Sequence, residues 1–128
     1  MKKTNSEKME RCALFAGTFD PFTRGHQALV TRALPLFDRI IIAIGVNSGK
    51  KCMFPLEERL KSIKELFDGE SRIEVTTYSG LTMDFAKEKG ATVLLRGVRS
   101  VKDFEYEESI ADINRKLSGI ETIFLFTE

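Results

Sequence analysis

Ten consecutive residues, Gly17-Thr18-Phe19-Asp20-Pro21-Phe22-Thr23-Arg24-Gly25-His26, combine two glycines, two threonines and an imidazole. At the opening of a helix such a segment presents unpaired backbone N–H groups, the positive end of the helix dipole and a side-chain donor in His26, which together suit a phosphate. Two cationic segments, Asn47-Ser48-Gly49-Lys50-Lys51 and Arg96-Gly97-Val98-Arg99, follow apolar runs further along the chain. Taken singly, each of the three also reads as an ordinary turn or a solvated surface. Taken together, Arg24, His26, Lys50, Lys51, Arg96 and Arg99 gather positive charge at one set of loops in a chain whose formal charge is +1, and a local field of that sign suits a polyphosphate.

The elements that must position these loops follow from the apolar patterning. Short β-rich runs over 12–16, 39–46, 72–77, 92–95 and 122–126 alternate with four amphipathic segments. A first helix is expected over about 25–36 with Leu29, Val30, Ala33 and Phe37 inward, and a third over about 81–89, stopped by Gly90. In the second helix Leu56, Leu60, Ile63 and Phe67 fall at i, i+4, i+7, i+11, and in the fourth Tyr106, Ile110, Ile113 and Leu117 repeat the spacing, so both stripes read as core faces. Strands and helices in alternation predict right-handed βαβ crossovers and a Rossmann-like α/β fold, a doubly wound parallel five-stranded sheet with helices on both faces. Ligands of such sheets bind beyond the carboxyl ends of the strands, which is where the cationic segments fall.

Two neutral features share that edge. Tyr78-Ser79-Gly80-Leu81-Thr82-Met83 fits either the lining of a pocket for an uncharged arm or a plain connection. On the fourth helix Asp103, Glu107, Ile110 and Asn114 form a polar flank beside the Tyr106 stripe, suited to a half-exposed surface or to an amide-bearing substrate or adenosine. The one His sits in the phosphate-type loop, so no Ser/His/Asp or Cys/His set is available, and neither a G-x-x-x-x-G-K-[ST] nor a G-x-G-x-x-G pattern follows the first strand. Direct transfer of a phosphate-bearing group is the chemistry left.

Composition narrows the class. With 128 residues, 42% hydrophobic and 30% charged, the chain fits one domain, expected over 11–128 behind a flexible tail at 1–10. Near-zero net charge disfavours nucleic acid or a membrane surface as partner, and the longest apolar run, 40–46, is far short of the roughly 20 residues of a spanning helix. No signal-peptide pattern opens the chain, so a cytoplasmic location is expected. Cys12 and Cys52 lack CxxC spacing and are expected reduced, without structural zinc.

GTFDPFTRGH resembles the T/H-x-G-H signature of the nucleotidyltransferase superfamily. Together with DRIIIAIGVNSGKKCMFPLEERL, LLRGVRSVKDFEYEESIADINRKL and TIFLF it is most similar to the phosphopantetheine adenylyltransferase family, over most of the chain after residue 10. The resemblance implies transfer of AMP from ATP to 4′-phosphopantetheine, giving dephospho-coenzyme A and pyrophosphate, with Mg2+ as cofactor and a homohexamer as assembly. It further implies that Thr18 and Lys50 contact the acceptor phosphate, that His26 holds the ATP phosphates and that Arg96 shares the transition-state charge. Gly17, Phe19, Arg99 and Glu107 would lie around the nucleotide, and Ser79, Gly80, Leu81, Thr82, Met83 and Asn114 around the pantetheine arm. Lys50 and Arg96, read as lying beyond their strands, are expected to act on phosphates and to be dispensable for folding. The family continues into an I-S-S-[ST]-x-[VI]-R segment that contacts ATP, so a native chain is expected to extend past Glu128 by roughly 20 to 40 residues and a C-terminal helix. The alternatives are another transferase of the superfamily, such as one acting on nicotinate mononucleotide, and a non-catalytic nucleotide-binding module.

Overall fold

A computed structural model describes residues 10–47, 49 and 51–127. The tail expected over 1–10 therefore lies outside the described residues except for Glu10, whose carboxylate pairs with Arg39 at 3.2 Å. Lys50 and Ser48 lie outside them as well.

The chain runs β1 (Cys12–Gly17), α1 (Arg24–Ala33), a 3₁₀ turn (Leu34–Leu36), β2 (Arg39–Gly45), α2 (Leu56–Leu66), β3 (Ile73–Tyr78), α3 (Thr82–Lys89), β4 (Val93–Val98), α4 (Val101–Ser118) and β5 (Glu121–Phe126). All pairings are parallel, in the order β3-β2-β1-β4-β5. From β1 the chain winds outward through β2 to β3, then crosses back to start β4 on the other side of β1. That reversal opens a crevice between the carboxyl ends of β1 and β4, the place where open α/β sheets bind ligands.

The central strands are buried on both faces, as a parallel sheet covered by helices requires. Ala13 and Phe15 of β1 with Ile40, Ile42 and Ile44 of β2 meet Leu29, Val30 and Ala33 of α1 and Ile63 of α2. The alternate residues Cys12, Leu14, Ile41 and Ala43 face Ala86 of α3, and the small residues there let that helix lie close. Gly90 takes a left-handed φ of 77° that ends α3, as its position predicts.

Two expectations need correction. β4 runs on through Arg96 and Gly97 to Val98, because β5 pairs with it residue by residue as far as Val98 with Phe126. Arg96 is thus inside a strand, where a sequence reading that stops at the apolar run does not place it. The Tyr106 stripe of α4 is not a core face: Tyr106 is 66% exposed, Ile113 56% and Leu117 79%, and α4 has no buried residue. Its half-buried positions include Asp103, Glu107, Ala111 and Asn114, so the polar flank turns inward. The cause lies in what holds the helix. Phe104 packs edge-on against Phe124 of β5, and an ion pair draws Glu107 to Arg96 of β4, which together rotate the apolar stripe outward.

Candidate active site

Thr23 caps α1, with its side-chain oxygen accepting the His26 N–H at 3.3 Å, while the His26 Nδ1 accepts the Thr23 N–H at 2.9 Å. This reciprocal capping box leaves Nδ1 as an acceptor, so the neutral imidazole carries its proton on Nε2 and has that N–H to offer a ligand. Rings of Phe15, Phe19 and Phe22 pack around the imidazole at 6.0, 5.1 and 5.2 Å. Burial lowers the His26 pKa below its usual 6.5, and the Arg96 charge lowers it further. The neutral donor is therefore the folded-state species near pH 7. The unfolded chain takes up the proton first as pH falls, so the stability linked to His26 is present above 6.5 and declines as pH drops through the folded value. Since the chain has a single His, one imidazole resonance should titrate below pH 6.5 and show the Nε2–H tautomer by nitrogen NMR. A midpoint at or above 6.5 would contradict this environment.

The loop between Gly17 and Thr23 is fastened to the loop that follows β2. Asp20 accepts the backbone N–H groups of Met53 at 2.5 Å and Phe54 at 2.8 Å. Arg59 of α2 reaches back to donate to the carbonyls of Phe54 and Thr18. Between them Phe19 adopts a left-handed φ of 49°, an uncommon conformation for a non-glycine, held by burying its ring against Phe15, Phe22 and His26.

Across the crevice, Arg96 meets Glu107 in a two-pronged pair, Nε to Oε1 and Nη2 to Oε2 at 3.0 Å each, while Nη1 donates to the Ala16 carbonyl at 3.1 Å. The guanidinium thus joins β4, α4 and β1, and is a structural cross-link as well as a charge. That corrects the expectation that Arg96 is dispensable for folding.

A cavity of about 1040 Å³ opens between these groups, at the top of the roughly 300–1,000 Å³ range of small-molecule sites and roomy enough for more than one bound group. Gly17, Thr18, Ser79, Gly80, Thr82, Arg96, Glu107 and Asn114 all line it, so the expected residues from four separate loops and helices do converge. The wall between them is apolar, with Tyr106 and Ile110 of α4 and Tyr78 of β3, whose hydroxyl shares a 2.8 Å hydrogen bond with Thr82. Others of the expected set lie elsewhere. Phe19 is packed beneath His26 by its left-handed turn, and Met83 faces the α3 side of the core, one helical step away from Thr82. Leu81, the residue before α3, is turned to solvent, and exposed Arg99, two residues ahead of α4, pairs with Asp103 in the first turn of that helix at 3.7 Å. Asp103, whose carboxylate also accepts the Arg99 N–H, does not join Glu107 in facing the cavity. His26 is not among the residues that line the cavity, though the Arg96 charge is near enough to act on its imidazole.

Asp20 and Arg59 escaped the sequence reading. Asp20 sits in the phosphate-type loop with no second acid at a recognisable spacing, and Arg59 occupies a helix position that its neighbours make look like surface. Cys12 is buried in β1 and Cys52 lines the cavity; neither forms a disulfide.

The cytidylyltransferase-like family matches residues 14–127. A phosphopantetheine adenylyltransferase of Phocaeicola vulgatus is 57% identical over 118 residues, 92% of this chain and 78% of that protein, and one of Bacteroides thetaiotaomicron is 58% identical over the same shares. The chain belongs to the phosphopantetheine adenylyltransferase family. Among solved structures, a lipopolysaccharide core biosynthesis protein of Thermoplasma volcanium overlays with a TM-score of 0.64 at 20% identity, covering 93% of this chain and 97% of that one, which speaks for the fold alone. For this adenylyltransferase family member the stretch from Arg96 to Glu107 builds the β4 wall of the cavity and the start of α4 beside it. Membership in this family favours the acceptor first expected over nicotinate mononucleotide.

Proposed function

We propose that this chain transfers AMP from ATP to 4′-phosphopantetheine, releasing pyrophosphate. The observation that carries the reading is the pairing of a neutral Nε2–H donor on His26 with the Arg96 cation across the β1/β4 crevice, beside a cavity walled by Thr18 and Asn114. In the reaction an acceptor phosphate oxygen forms a bond to the α-phosphorus of ATP, and the bond from that phosphorus to the β-phosphate oxygen breaks. The nucleophile is already an anion, so no base is needed to create it. The protein must instead bring two anions together and offset the charge that grows on the leaving pyrophosphate. His26, the α1 N-terminus and Arg96 are suited to that task, and Ser79, Gly80, Thr82 and Asn114 to the uncharged arm. Lys50 keeps its proposed role at the acceptor phosphate by family resemblance.

Magnesium belongs to the proposal as the companion of the ATP phosphates. Magnesium commonly binds through one or two carboxylates and the substrate phosphates themselves, and no step is assigned to the ion. A homo-oligomer, hexameric by resemblance, also belongs to it, and the outward apolar residues Ile113 and Leu117 of α4 support an assembled state. No helix among the described residues is long and apolar enough to cross a membrane, and a cytoplasmic location is proposed on the substrates.

Pyrophosphate release, measured with ATP, magnesium and each acceptor in turn, tests the reading. Turnover is expected with 4′-phosphopantetheine and not with nicotinate mononucleotide. The opposite preference would move the chain to the other transferase, and ATP binding without turnover on either acceptor would make it a binding module.

A further inference from the structure

Arg59 is the one charged side chain buried among the described residues, at 7% exposure. Its Nε donates to the Phe54 carbonyl at 3.0 Å and its Nη1 to the Thr18 carbonyl at 2.8 Å. No carboxylate among the described residues pairs with it. Two carbonyl dipoles satisfy hydrogen bonds but do not cancel a unit charge, and a buried cation without a counter-ion is costly. A neutral amide would tie the same two loops at a smaller desolvation penalty. The charge therefore needs another explanation, and its position supplies one, since Arg59 lines the cavity behind Thr18.

The carboxylate nearest in role, Asp20, is engaged by the N–H groups of Met53 and Phe54 on the adjoining loop. The Thr18 end of the cavity is thus backed by a positive charge that no carboxylate among the described residues ion-pairs, held still by two hydrogen bonds. Low-polarity surroundings screen such a charge weakly, so its field extends into the cavity without contact with the ligand.

We propose that Arg59 is a positioning residue whose charge selects for the phosphomonoester of the acceptor, an inference that rests on the acceptor reading above. It holds the Thr18 carbonyl in place and makes the Thr18 end of the cavity favourable to an anion.

The full chain, titrated by calorimetry with 4′-phosphopantetheine and with its uncharged counterpart pantetheine, tests this through the ratio of the two affinities. Arg59→Gln and Arg59→Lys both lose the forked geometry, and only the first loses the charge. The Gln variant should reduce the wild-type preference for the phosphate by about tenfold or more, while the Lys variant keeps it within about threefold. A purely structural role would weaken both ligands alike and leave the ratio unchanged, so a Gln variant with the wild-type ratio overturns the proposal. Where the Gln variant fails to fold by circular dichroism, Arg59→Met, neutral and of similar length, is titrated in its place: a reduced ratio supports the proposal, and the wild-type ratio in folded protein overturns it. A wild type with no preference for the phosphate would overturn the acceptor reading itself and Arg59's role with it, whereas a preference that persists in the Gln variant overturns the latter alone.

Discussion

Replacing His26 with alanine should lower kcat and kcat/KM together by about 100- to 1000-fold, the usual cost of removing one preorganised donor from a site of developing charge. The equal loss follows from when the donor acts. Its Nε2–H gains its partner charge as the leaving phosphates develop it during transfer, so the missing interaction is felt in the transition state and not in substrate binding. Alanine also removes the acceptor for the Thr23 N–H, which weakens the start of α1 by about 1 kcal/mol. His26→Gln separates the two effects. Glutamine at this helical position can accept the same N–H with its amide oxygen, completing the S/T-x-x-Q form of the capping box. The Gln variant should melt within about 2 °C of wild type yet remain at least about tenfold slow, because the imidazole N–H is gone. Steady-state pyrophosphate release and thermal melts read both quantities. An alanine variant within a few-fold of wild type would remove His26 from the mechanism.

How much of this site was legible beforehand depended on whether a residue's role was set locally or by a partner far along the chain. The Gly17 to His26 loop was legible because glycine spacing, a capping threonine and an imidazole three residues on are local signals, and the structure keeps them together in one turn. The alternation of strand and helix was enough for the parallel order, since crossovers admit few topologies. The α4 stripe failed for the opposite reason. A period of 3.6 locates an apolar face without saying what it faces, and contacts 11 and 20 residues away, Arg96 with Glu107 and Phe104 with Phe124, turn the polar flank inward. Phe19 and Met83 failed by one residue each, since a single step along a loop or helix turns a side chain from cavity to core. Asp20 and Arg59 were beyond reach because their partners are 33 to 41 residues away or are backbone groups that no sequence pattern marks.

Arg96→Ala is expected to cost about 100- to 1000-fold in kcat/KM, and much of that loss should come from what it leaves behind. In the folded chain Glu107 spends both oxygens on Arg96 and is only 17% exposed, so removing the guanidinium strands a carboxylate at the wall of a cavity meant for anions. The phosphates then lose a cation and meet an unpaired negative charge. The fold suffers too, because the Ala16 carbonyl and β4 lose their tie to α4. Breaking a fully buried pair costs about 3–5 kcal/mol, but Arg96 is 39% exposed, and solvent screening reduces the expected loss to about 1–2 kcal/mol. The double variant Arg96→Ala with Glu107→Gln separates lost cation from stranded anion. It should recover about three- to tenfold of the activity and part of the melting temperature relative to Arg96→Ala alone, a coupling of the size found for residues in direct contact. Strict additivity of the two substitutions, with no recovery in either rate or melting, would mean that Glu107 does not act through Arg96 and that its carboxylate meets the ligand on its own.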